Sequence, residues 1–299
     1  MNLDNRLEQF KPDRKGRDLI IHVDDMGMSQ SGLSAFDVLW KAGAVTSGSV
    51  MTPCAWFPAA ADWHQKNPDA DLGLHLTLTS EWDNLRWGPS NTSSEARSLL
   101  DESHRYFHKT REAFCEHATP TAVADEIQRQ LDFAAHTGMR VSHLDCHMYT
   151  CMEEKFLPCF LQLAVTHKLP ALVTWEHLNR LEPAVARQWA EKLHTAGLPV
   201  FDRVIVINKS QTVQDYIRKF RAAISNLPQG LSCLLVHPAT DSEELRSFSI
   251  FAQHQVNEFL GLLQISSLQV LANLGVNMID YRSLMQGDDY DDSHPRNLM

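Results

Sequence analysis

Residues 19–27 read LIIHVDDMG, and the fold is legible from this stretch outward. Positions 19–23 are a short apolar run, the pattern of a buried strand, and Asp24, Asp25 and Gly27 mark where that strand opens into a loop. Ser29 or Ser31 can cap a helix through Trp40, with Gly43 as its terminator. The alternation then recurs: 45–52 is strand-like, 58–65 helix-like and 72–77 strand-like. Over 121–137, Val123, Ile127, Leu131 and Ala135 repeat every four positions, and Gly138 follows where a helix stops. A strand returns at 140–144. Beyond it the pattern predicts a helix around 154–167, strands at 171–174, 204–207 and 231–236, a helix at 213–227, and a closing helix at about 250–274 before 276–279. Strands alternating with helices predict an α/β fold on a (β/α) barrel-like parallel sheet, seven-stranded and irregularly TIM-like or else open; periodicity does not choose between the two.

One domain over 19–285 accounts for this rhythm, with a polar leader at 1–18 and an acidic tail at 286–299, neither of which has a hydrophobic face to bury. At 299 residues, with 43% hydrophobic and 21% charged, the chain can build a sizeable core. A formal net charge of -10 argues against a footprint for nucleic acid or an anionic membrane, and a neutral small molecule or sugar is the better-matched partner. The six cysteines form no CxxC pair, which fits reduced thiols and a cytoplasmic location, and no stretch has the apolar length of a membrane span. The segment from Glu81 to Pro120 has little periodicity but holds Trp82, Trp87, Tyr106 and Phe107; a loop of that length is a candidate lid.

The ionisable residues gather at one place. Asp24 and Asp25, His75, His143 with Asp145 and His147, and His237 each stand at or just past the predicted C-terminal end of a strand, the edge on which α/β folds build active sites. Two histidines and a carboxylate on separate strands form a mixed N/O set suited to a divalent ion with open positions. Each element has a plainer reading: a turn with an Asx cap for Asp24 and Asp25, a core histidine for His75, a turn residue for His237. Their arrival together at one edge is what favours chemistry.

HVDDMGMS at 22–29, GLHLTLT at 73–79, SHLDCH at 142–147 and LLVHPAT at 234–240, in this order, resemble the YdjC/ChbG family of carbohydrate deacetylases. LLDESHRYFHK at 99–109 and NLGVNMIDYRSLM near the C-terminus add to the likeness. The resemblance implies a barrel fold and metal-dependent hydrolysis of an N-acetyl group on an amino sugar. It implies Asp25, His75 and His143 as ligands of one divalent ion, Mg or Zn, Asp24 as the base and His237 as the acid. Asp145 is then a candidate to orient one of the imidazoles from behind. The family pattern HxDSHxHxH is altered: Cys146 replaces Ser, Tyr149 and Cys151 stand where the later histidines fall, and His22 replaces the commoner Asn. His147 and Tyr149, with Trp87 as an aromatic platform, become candidates for touching substrate. A sugar isomerase or phosphoesterase on a similar barrel, or a non-catalytic carbohydrate-binding relic, are the rival readings; metal content and acetate release separate them. A homodimer is compatible with the sequence.

Overall fold

The computed structural model describes residues 5–91, 93–265, 271 and 273–285. Its centre is a parallel sheet of seven strands: β1 (Arg17–Met26), β2 (Ser47–Val50), β3 (Leu72–Leu76), β4 (Leu144–Cys146), β5 (Arg203–Val206), β6 (Gly230–Val236) and β7 (Asn277–Met278). The order is β4-β3-β2-β1-β6-β5, with β7 on the N-terminal end of β1. Two single parallel bridges, Leu144 to Ala171 and Thr174 to Phe201, carry the pairing from β4 through 171–174 to the start of β5. The alternation predicts the parallel sheet and these bridges curl it into a barrel-like wall, with 171–174 supplying a link rather than a full strand.

Strand period two sorts side chains to two faces. On β1, Leu19, Ile21 and Val23 join the main core under the helices, while Ile20, His22 and Asp24 point into the curl. On the same inner face stand Ser47 and Ser49 of β2, His75 of β3 and Asp145 of β4, all buried. The floor of the curl is apolar, built from Ile20, Leu172, Phe201, Leu231, Cys233 and Tyr281. The polar residues thus lie above a sealed base, toward the C-terminal ends of the strands.

Ser29 caps the helix Gln30–Lys41 by accepting from the Gly32 N–H, and Gly43 follows it in the left-handed region at φ 65°. The helix Pro120–His136 matches the four-residue repeat, with Thr119 as its cap. Further helices were not expected, among them Arg111–His117 inside the long 81–120 segment, Trp175–Arg180 and Pro183–Thr195 between 174 and β5, and Glu243–Phe248 after β6. The leader is not wholly free: within it Asn5–Glu8 is helical and Leu7 is buried in the core. The closing helix runs from Ala252 to Gln264, and the remainder of its expected span falls largely on residues outside the described ones, as does the tail. No helix among the described residues is long and apolar enough to cross a membrane.

Candidate active site

The C-terminal end of β1 is set by backbone strain, where its register with β2 shifts between Val23 and Met26. Asp25 adopts φ 63°, a region non-glycine residues rarely occupy, and Gly27 follows at φ 87° with Val50, Met51 and Phe57 close enough to exclude a side chain. This bend aims the Asp25 carboxylate over the open end of the curl. Its buried Oδ1 lies 3.3 Å from His75 Nε2 and 3.0 Å from His147 Nδ1. Ligand atoms from Asp25, His75 and His147 all fall within 4.8 Å of one another. One carboxylate oxygen and two imidazole nitrogens brought together at this depth form a donor set that fits a divalent cation.

Both imidazoles are held from behind. His75 Nδ1 lies 2.9 Å from Asp145 Oδ2, which also accepts from Ser49 Oγ (2.9 Å) and faces His22 Nε2 (3.0 Å). His147 Nε2 lies 2.9 Å from Glu81 Oε2. Burial favours neutral rings, but the Asp145 and Asp24 charges raise His75 well above its usual range, and Glu81 and Asp25 raise His147 to about 10. Burial likewise works against ionised Asp25, and is outweighed by the charge of His147 and bonds from both histidines, which hold the carboxyl well below its usual range.

Asp24 and His237 flank this group. Asp24 Oδ2 is 3.5 Å from His237 Nε2, and its Oδ1 is 3.3 Å from His22 Nε2. Burial pushes Asp24 well above the carboxylate range, against the pull of His75. His237 is lowered, first by burial, and so is neutral at pH 7. Its backbone N–H donates to Glu258 Oε2 at 2.6 Å, which fixes the turn after β6.

His143 does not join the cluster. Its ring is fully buried, stacked on Tyr281 at 3.7 Å between centroids and 7° between planes, and its Nδ1 pairs with Ser142 Oγ at 2.9 Å. A Cβ on Gly73 would fall on this ring, which explains the glycine in GLHL. Residues 143, 145 and 147 share one face, but four residues at ~3.3 Å each place His143 about 13 Å below His147 along the chain. β4 ends at Cys146 rather than Leu144, so His147, expected to touch substrate, is the residue that reaches the edge. Trp87 also departs from expectation: at 4% exposed it offers no open face to a sugar. Its Nε1 donates to Thr79 O at 2.7 Å, and its ring stands edge-on to His147. Tyr149 is half-buried and lines a cavity of about 470 Å³ with Arg111, Glu176, Arg180 and Arg203, in the gap where pairing between 171–174 and β5 stops. Glu81 and Glu258 were missed; neither sits in a motif, and only the folded chain brings them to the site, while His22, noted only as a departure from the family pattern, proves to face Asp24 and Asp145.

The YdjC-like protein family model matches residues 18–272. The chain belongs to the YdjC-like family. It is similar to a carbohydrate deacetylase of Thermus thermophilus, 29% identical over 245 residues that cover 81% of this chain and 85% of the relative. A carbohydrate deacetylase of Thermoanaerobacter pseudethanolicus is 23% identical over 266 residues, 89% of this chain and 98% of the relative. Among solved structures, a putative cellobiose-phosphate cleavage protein of Enterococcus faecalis superposes with a TM-score of 0.73 at 21% identity, covering 90% of this chain and 99% of that one. That likeness supports the fold.

Proposed function

We propose that this chain, like the carbohydrate deacetylases it is similar to, removes the N-acetyl group from an amino sugar or N-acetylated glycoside, using one divalent ion held by Asp25, His75 and His147. The observation that carries the reading is the convergence of those three donors, beside a carboxylate and a histidine 3.5 Å apart, at the open edge of the barrel. A divalent ion bound there supplies Lewis-acid activation of water and of the acyl oxygen, and its charge favours ionised Asp24.

Asp24 takes the proton of the attacking water as the new C–O bond forms at the acetyl carbon. His237, neutral at rest, is placed to receive that proton across the 3.5 Å gap and to deliver it to the departing nitrogen. The C–N bond then breaks, giving acetate and a free amine on the sugar. Asp145 keeps the His75 ring in the orientation that turns Nε2 toward Asp25. The cavity beside Tyr149, polar and walled by ion-paired arginines, suits the hydroxyls of the sugar better than an apolar group. A homodimer and the choice between Mg and Zn belong to the same proposal. Acetate release from a panel of N-acetylated sugars, measured on chelator-treated protein before and after adding Zn or Mg, tests it. Metal-restored release supports the reading; full activity in chelator, or none on any N-acetylated sugar, contradicts it.

A further inference from the structure

Glu81 stands where β3 hands over to the long 81–120 segment, and its carboxylate is mostly buried against His147. A neutral imidazole carries one N–H; the nitrogen that donates it to a carboxylate leaves the lone pair on the other. On His75 the far nitrogen, Nδ1, meets Asp145 at 2.9 Å while Nε2 turns to Asp25. On His147 the assignment is reversed: Nε2 meets Glu81 at 2.9 Å, and Nδ1 turns to Asp25 at 3.0 Å. With an ion bound between them, the two neutral rings would use opposite tautomers, each set by one carboxylate. Without Glu81, no hydrogen-bond acceptor among the described residues holds the His147 proton on Nε2, and Nδ1 could carry it instead, pointing a hydrogen rather than a lone pair at the ion.

The two carboxylates are mounted differently. Asp145 lies on β4, part of the barrel wall, whereas Glu81 belongs to the long segment between β3 and the helix Pro120–His136. The root of that segment is pinned: the Ser80 N–H donates to His108 O (2.9 Å), Ser80 Oγ accepts from Arg86 Nε (3.1 Å) and from the Trp87 N–H (3.0 Å), and Trp87 walls the His147 ring. Replacing the segment's anchorage would therefore move Glu81 and with it His147.

We infer that Glu81 is the positioning residue of His147, so that the 81–120 segment forms part of the ion-binding apparatus as well as part of the cover. The inference rests on the reading that Asp25, His75 and His147 hold the ion. Its test is calorimetric titration of chelator-stripped full-length protein with Zn²⁺. Glu81→Gln keeps the shape but loses the charge that fixes the tautomer, and should weaken binding 10–100-fold while still reaching one ion per chain at saturation. Glu81→Asp, one methylene short of His147, should weaken it comparably, and Asp145→Asn should do the same through His75. The melting temperature of the metal-free variant should stay near that of the parent, which separates positioning from a general loss of structure. Unchanged Zn²⁺ affinity in both Glu81 variants would overturn the inference, and so would complete loss of binding in Glu81→Gln, which would make Glu81 a ligand itself. Failure of the underlying reading shows differently: His75→Ala would then bind Zn²⁺ as the parent does.

Discussion

Glu258 offers a sharp test of how the turn bearing His237 is built. Its carboxyl is buried, accepts the His237 N–H at 2.6 Å, and is raised by that burial from 4.5 to about 8. Below pH 4.5 both folded and unfolded chains hold this proton, so it has no effect on stability. As pH rises from 4.5 to 8 the unfolded chain releases the proton and the folded chain keeps it, so the folded state binds more protons and stability falls with pH. Above about 8 both are ionised and the loss is complete. Integrated over pH 5 to 9, a shift of this size amounts to about 4 kcal/mol. Glu258→Gln removes the titration and keeps an oxygen to accept from the His237 N–H. Urea unfolding of both proteins at pH 5, 7 and 9 should show nearly equal stability at the low end and a gap of several kcal/mol in favour of Glu258→Gln at the high end. Parallel pH curves would refute the reasoning, because Glu258 would then be ionised in the folded chain throughout. A Gln variant less stable by the same amount at every pH would mean that the carboxylate's bond to His237 outweighs its burial.

Asp24→Asn should keep the ion, because Asp24 lies outside the Asp25 group, but lose 10²–10⁴-fold in kcat for want of a proton acceptor; metal analysis beside steady-state kinetics checks both halves. His237→Ala should also keep the ion and lose kcat, with partial recovery on a substrate whose leaving nitrogen needs less protonation, a recovery that Asp24→Asn should not show. Gly73→Ala drives a methyl into the His143 ring and should cost roughly 1–3 kcal/mol, read as a lower urea midpoint at unchanged slope.

Much of the fold could be read from residue order because fully buried parallel strands leave short apolar runs, and because caps such as Ser29 and Thr119 mark helix starts in local chemistry. The helix Pro183–Thr195 carries the same kind of local signal, with Ala186, Trp189, Ala190 and Leu193 buried at helical spacing. The site was legible in its residue types and less so in their depth. Positions 143, 145 and 147 share a face, and a two-residue error at the end of β4 is enough to exchange a ring packed on Tyr281 for one facing Asp25. Trp87 misled for a related reason: an aromatic among polar residues in a long segment looks like a platform, but its indole N–H is spent on Thr79 O and its faces are covered. Glu81 carries no local signal at all, since its meaning depends on a contact 66 residues away.

The central claim is that the ion-binding histidines are His75 and His147, with His143 a packed core residue. Zn²⁺ titration of chelator-stripped wild type, His147→Ala and His143→Phe tests it most directly, the phenylalanine being chosen to preserve the stack on Tyr281. The account predicts about one ion per chain in the wild type, as a three-ligand site holds, the same stoichiometry and affinity in His143→Phe, and loss of high-affinity binding in His147→Ala. Retention of tight binding by His147→Ala together with its loss in His143→Phe would contradict the account.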